Sequence, residues 1–188
     1  FYTTSIAVQD LDRVRAALGY GRVNLYGVSY GTRVAQHYVR RFPSRTRSVI
    51  LDGVVPPQLA LGPATALNAE DALSRILGRC AHDAECSKHF GDPSVAYRSL
   101  RTSLQAHPVP VNIADPTSGE PSKFEFTGYH LATVLRLASY TAEQAALLPL
   151  MLHGATQSAN FTPLASQFLL VNRSYGNVVA YGMHNSVV

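Results

Sequence analysis

The pentapeptide Gly27-Val28-Ser29-Tyr30-Gly31 constrains this chain more than any other stretch, because of what stands on either side of it. Before it, Val23-Asn24-Leu25-Tyr26 is a short apolar run rich in strand formers, and after it Thr32 to Phe42 is a helical stretch closed by Pro43. Strand, sharp turn, helix follow one another within 20 residues or so. Upstream, Thr4 or Ser5 can cap a helix over about 5–18, with Ala7, Leu11, Val14 and Leu18 at helical spacing and Gly19 as terminator. Downstream, Ser48-Val49-Ile50-Leu51-Asp52-Gly53 is a second short apolar run ending in a turn. The first 55 residues therefore read as α-β-α-β, the rhythm of an α/β protein with a parallel sheet.

A G-x-S-x-G turn between strand and helix has a known chemical use. It holds a serine Oγ clear of the backbone at the top of a sheet, where a base can reach it. The turn forces the serine into strained backbone angles and brings neighbouring backbone close, so small residues are expected at Gly27 and Gly31. Ser29 is thus the candidate nucleophile. The helix that follows points its N-terminal amides at the reacting carbon, which makes the backbone N–H of Tyr30 the expected oxyanion donor. A chance match in a chain of this length has a likelihood of roughly a few hundredths before the flanking strand and helix are required. The bland alternative is a βα turn in which Ser29 merely caps the helix. A dinucleotide site is weaker still, since these glycines do not form G-x-G-x-x-G.

The rest of the chain bounds the answer. Hydrophobic residues make up 46% and charged residues 15%, a composition that packs a globule. The net charge is +4, but the densest basic group, Arg40, Arg41, Arg45 and Arg47, reads as a solvated helix end, and no nucleic-acid partner is expected. No apolar run approaches the roughly 20 residues that cross a bilayer, and Phe1 to Thr4 carry no leader pattern, so no membrane partner is expected either. After Val54-Val55-Pro56-Pro57 the rhythm changes to helical patterns near 64–78, 94–106, 128–139, 142–154 and 162–172. A hairpin, 109–113 with 123–126, flanks the turn-rich Asp115-Pro116-Thr117-Ser118-Gly119. Met183 to Val188 reads as a third core strand, cut short at the end of the sequence. Cys80 and Cys86 lack the spacing and partners of a metal site; no metal or cofactor is expected, and one short-range disulfide stays open.

Taken together, Asp10-Leu11-Asp12, Leu18-Gly19, Asn24 to Thr32 and Leu51-Asp52-Gly53-Val54-Val55-Pro56 resemble the proline iminopeptidase and tripeptidyl aminopeptidase branch of the α/β-hydrolases. The likeness is tight over residues 3–57 and looser, in helical layout and Leu148-Pro149, beyond. It implies an α/β-hydrolase portion at 1–57, a helical cap over 58–177 and a return to the core sheet at 178–188. It also implies exopeptidase chemistry on a peptide or small acyl substrate through an acyl-enzyme on Ser29. That family has an H-G-G-P-G-like oxyanion loop upstream of the serine, and a catalytic Asp and then His downstream of the cap. These partners do not appear, so the sequence is expected to be an internal portion of such an enzyme. Exported relatives are common in this family, and a gap of five residues across a helix end suits a Cys80–Cys86 bond, which together imply a periplasmic or secreted protein.

Other candidate bases and acids are spread along the chain. His37 lies eight residues past Ser29 on one helix, about 12 Å along its axis, out of proton-transfer reach. His82, His89, His107, His130 and His153 fall in the helical module and read as surface or helix-end residues, and His184 stands within the last strand. Asp52 follows a strand near the elbow strand, a place from which some α/β-hydrolases draw their acid, though the resemblance assigns it to a turn. Glu70 with Asp71, and Asp83 with Glu85, are available to bind a substrate ammonium. The competing readings are an esterase or lipase on the same scaffold, and a non-catalytic interaction fragment; substrate side chain and oligomeric state stay open.

Overall fold

The computed structural model describes residues 2–59 and 63–176, with side chains described over 2–59, 64–172. The chain divides into two compact units, the first running to Ala64 and the second beginning at Thr65.

In the first unit, helix α1 (Thr4–Ala17) opens where the Thr3 side chain accepts from the Ile6 N–H. Strand β1 (Val23–Val28), helix α2 (Tyr30–Arg41), a 3₁₀ turn (Pro43–Arg45) and strand β2 (Thr46–Asp52) follow. β1 and β2 pair in parallel, Leu25 opposite Val49 and Val28 opposite Asp52. Alternation along the strands gives this sheet two unlike faces. Leu25, Gly27, Val49 and Leu51 are buried or half-buried on one, whereas Tyr26, Val28 and Ile50 are exposed on the other. The expected third strand at 183–188 lies outside the described residues.

The second unit comprises α3 (Pro63–His82), α4 (Ala84–Phe90), α5 (Pro93–Ala106), the antiparallel hairpin β3 (Val109–Ala114) and β4 (Pro121–Phe126), α6 (Gly128–Ala138), α7 (Ala142–Ser158) and α8 (Thr162–Gly176). Its core gathers Leu77, Leu104, Phe126, Leu135, Leu148 and Leu164, all at 2% exposure or less. Asp115 shapes the hairpin turn by accepting from the Thr117 and Ser118 N–H groups at 2.9 and 3.0 Å. Several boundaries differ from the sequence reading: Thr3 rather than Thr4 or Ser5 caps α1, and α7 and α8 run on to Ser158 and Gly176. α3 runs through Gly78 to His82, whose ring binds the Gly78 carbonyl at 2.7 Å. The seven-residue α4 was not anticipated; Asp83 caps it by accepting from the Cys86 N–H at 2.8 Å. Cys80 and Cys86 are joined as a disulfide across that corner, with Cα atoms 5.1 Å apart.

Candidate active site

β1 ends at Val28 and α2 begins at Tyr30, so the whole reversal of direction falls on Ser29. Its backbone stands at φ 52°, ψ −120°, in the left-handed half of conformational space that a residue with a Cβ rarely enters. Ser29 occupies the N-cap position, yet its side chain makes no capping hydrogen bond and the residue is exposed. The bland reading of a capping serine therefore does not describe it.

The two glycines turn out to be unequal. A Cβ on Gly27 would lie 2.4 Å from the Gly31 carbonyl oxygen and 2.8 Å from the Thr32 nitrogen, positions no side chain can take. A Cβ on Gly31 would meet nothing within 4 Å among the described residues. The close approach is of Gly27 to the backbone of Gly31, so among the described residues the expectation that both must be small holds sterically for Gly27 and finds no contact that requires it at Gly31.

Around this turn, the Ser29 N–H donates to the Asp52 carbonyl at 2.9 Å, extending the β1–β2 ladder by one rung. Tyr30 is the first residue of α2, which aims its N–H out of the helix start; its hydroxyl meets that of Thr4 on α1 at 2.5 Å. Behind the elbow, Asp12 joins three elements. Its carboxylate accepts from Arg15 Nε at 2.8 Å, from the Tyr38 hydroxyl at 3.0 Å and from Arg45. The Arg15 hydrogen bond, with help from Tyr38 and the charges of Arg15 and Arg45, holds the Asp12 carboxyl below the usual range against the opposing effect of burial. Arg45 also lies over the Phe42 ring at 5.0 Å, so it is tied down while its side chain stays 43% exposed, and Arg40, Arg41 and Arg47 are exposed as the sequence suggests.

Asp52 ends β2 beside the elbow, but Tyr26 donates its hydroxyl to Asp52 Oδ2 at 3.0 Å, a bond that raises the Tyr26 phenol above its ordinary range. His37 lies on α2, as expected. In the second unit the side chains of His82, His89, His130 and His153 have local partners. His89 pairs with Glu85 at 3.8 Å, His153 meets Phe90 edge-on, and His130 accepts the Thr127 N–H at 2.9 Å. His130 sits among Phe124, Phe126 and Phe168, where burial pushes its pKa down. The acidic pairs weighed for an ammonium are exposed and variously engaged: Asp71 with Arg75 at 3.0 Å, Asp83 in the α4 cap, Glu85 with Lys88 and His89. Among the described residues no cluster of three or more His, Cys, Asp or Glu is placed to hold a metal, and no helix is long and apolar enough to cross a membrane.

The sequence reading missed Thr32, which is fully buried and hydrogen-bonded to the Ser29 carbonyl. It stood inside the Ser-Tyr-Gly-Thr segment, but nothing in a linear pattern shows that a threonine three residues on turns back onto the elbow.

With this geometry in place, residues 2–79 match the sequence model of the alpha/beta hydrolase fold. The chain is 34% identical over 144 residues to "Serine protease Hip1" of Mycobacterium tuberculosis, covering 73% of this chain and 27% of that protein. It is 49% identical over 49 residues to "Putative hydrolase YuaR" of Escherichia coli, 26% of this chain and 10% of that protein. It is 46% identical over 55 residues to "Tripeptidyl aminopeptidase" of Streptomyces lividans, 29% of this chain and 10% of that protein. The chain thus spans about a quarter or less of the length of these curated relatives. The protease match is longer than the first unit, so it extends into the second. Residues 2–79, which hold the parallel strand pair, the strained serine between strand and helix and the glycine that admits no side chain, have the α/β-hydrolase fold.

Proposed function

We propose that this sequence is the nucleophile-bearing portion of a serine hydrolase that acts on peptides, with Ser29 as the nucleophile. The observation that carries the reading is the backbone of Ser29 at φ 52°, ψ −120°, with an exposed side chain that does no capping. Strain of this kind costs on the order of 1–3 kcal/mol and persists where surrounding structure enforces it, typically at functional sites.

In the proposed reaction Ser29 Oγ adds to a carbonyl carbon as its proton passes to a histidine base. The backbone N–H of Tyr30 donates to the oxyanion, the amine departs with the proton, and water then cleaves the ester on Ser29. A single oxyanion donor is worth about 100-fold to 1,000-fold in rate. The proposed partner is a peptide or small acyl substrate. The names of the serine protease and tripeptidyl aminopeptidase relatives support peptides, and the aminopeptidase name supports release of N-terminal residues or short peptides. The second unit, with its helices and one hairpin, is proposed as the cap that limits substrate length. The Cys80–Cys86 disulfide supports a periplasmic or secreted location.

The test uses the gene product that contains residues 1–188. A fluorophosphonate is expected to label Ser29, and Ser29→Ala to abolish both labelling and hydrolysis of a tripeptide anilide. Labelling that survives Ser29→Ala removes the assignment. Equal cleavage of the same anilide with a free and with an acetylated N-terminus removes the exopeptidase reading while leaving the hydrolase.

A further inference from the structure

A serine held at positive φ relaxes unless both of its peptide groups are tied down. The N-terminal one is accounted for by the Asp52 carbonyl. The C-terminal one is held by Thr32: its N–H donates to the Ser29 carbonyl at 3.0 Å, and its hydroxyl donates to the same oxygen at 2.7 Å. That hydroxyl in turn accepts from the Val55 N–H at 2.8 Å. One fully buried hydroxyl therefore spans from the nucleophile's own carbonyl to the chain that leaves β2, using its single proton on one side and a lone pair on the other.

The bridge is reinforced further along α2. Gln36 Nε2 donates to the Val55 and Thr32 carbonyls, each at 3.1 Å. Arg33 donates to the Pro56 carbonyl at 3.0 Å and to that of Leu59. Three side chains within two helical turns thus strap residues 55–59 onto the helix that carries the elbow. The strap is fixed to the helix at three points, and among the described residues it reaches Ser29 through Thr32.

We propose that Thr32 is a positioning residue for Ser29: its hydroxyl locks the elbow against the segment that follows β2, fixing the direction of the Ser29 side chain and of the first amides of α2. This rests on Ser29 being the nucleophile. Valine has the same shape as threonine but neither donates nor accepts, so it would leave the Ser29 carbonyl one bond short and the Val55 N–H without its partner. Serine keeps both bonds.

The experiment follows fluorophosphonate inactivation of the gene product, with kinact and KI measured separately and folded fraction fixed by thermal melts. Thr32→Val is expected to lower kinact by roughly 10-fold to 100-fold, the scale of a misplacement of about 1 Å, with KI within about 3-fold of native. Thr32→Ser is expected to restore most of kinact. Tyr38→Phe, which removes a different buried hydroxyl of the same unit, should melt lower and keep the native kinact. A native kinact in Thr32→Val, or an equal loss in Tyr38→Phe, overturns the positioning role. If Thr32→Val is not recovered folded, Thr32→Ala gives the same reading without a methyl against the two polar groups. Absence of labelling in the unmodified protein is a failure of the nucleophile assignment and is recognised before any variant is compared.

Discussion

The two units are held together by different physics. The second buries a continuous apolar cluster drawn from α3, α5, the hairpin, α6, α7 and α8. Among the described residues of the first, the buried hydrophobic side chains are Val8, Ala35 and Tyr38, and the buried polar ones are Asp12 and Thr32. Hydrogen bonds and charge join α1, α2 and the chain around β2 where apolar contact joins the helices of the second unit. Apolar surface is not lacking in the first unit. Leu11, Val14 and Leu18 of α1 and Tyr26, Val28 and Ile50 of the sheet are exposed among the described residues. A parallel sheet ordinarily has both faces covered, and here one face is open among the described residues. The difference teaches where precision is needed. A strained turn is held by directional bonds, which fix angles, whereas burial fixes only proximity.

If this contrast is right, the largest loss of stability comes from the second unit's core. Phe126→Ala, at a side chain with no exposure, is expected to cost about 3–5 kcal/mol in urea unfolding followed by signals of α6 and α8. A cost under about 1 kcal/mol would show that this core carries less than its burial implies.

The elbow glycines give a smaller and signed effect. Gly27→Ala drives a Cβ into the Gly31 backbone and is expected to destabilise by about 1–3 kcal/mol, with loss of Ser29 labelling. Gly31→Ala meets open space on α2 and is expected to be neutral or to gain up to about 1 kcal/mol, because alanine loses less freedom than glycine in a helix. Equal effects at the two positions would contradict the asymmetry.

Acid separates the units most gently. His130 has a folded-state pKa below its ordinary value, so as pH falls the unfolded chain takes up the proton first. Its contribution is complete above about pH 6.5 and is lost as pH drops from there through the lower folded value. Asp12 is likewise depressed, but from the carboxylate range: its contribution persists to about pH 4 and is lost only as pH falls through its own folded value. Ring signals of Phe126 and Phe168 should therefore broaden at milder acidity than those of Tyr38, as followed by NMR. Simultaneous loss of both sets would refute independent control by these two groups.

Much of the helical layout was legible because helix period and capping residues are local. The helical pattern at 94–106 is α5, where the structure adds the Asp92 cap and Pro93 at the first position. The short α4 was not legible, since seven residues carry too little periodicity to stand out. The elbow was visible because its steric demand leaves a mark in residue type. Its second glycine was over-read, because linear spacing does not say which Cβ would collide.

The sequence by itself determined the strand-turn-helix at Ser29, the α/β order of the first 55 residues and the change to a helical module, since each follows from short-range periodicity and backbone freedom. Tertiary structure alone decided that Asp12 gathers Arg15, Tyr38 and Arg45, that Tyr26 holds Asp52, and that the side chain of Thr32 rather than that of Ser29 hydrogen-bonds at the elbow. Apart from neighbours on one helix turn, those pairs lie 26 to 33 residues apart. A hydrogen bond depends on ångströms and angles, and those exist only after the chain has closed on itself.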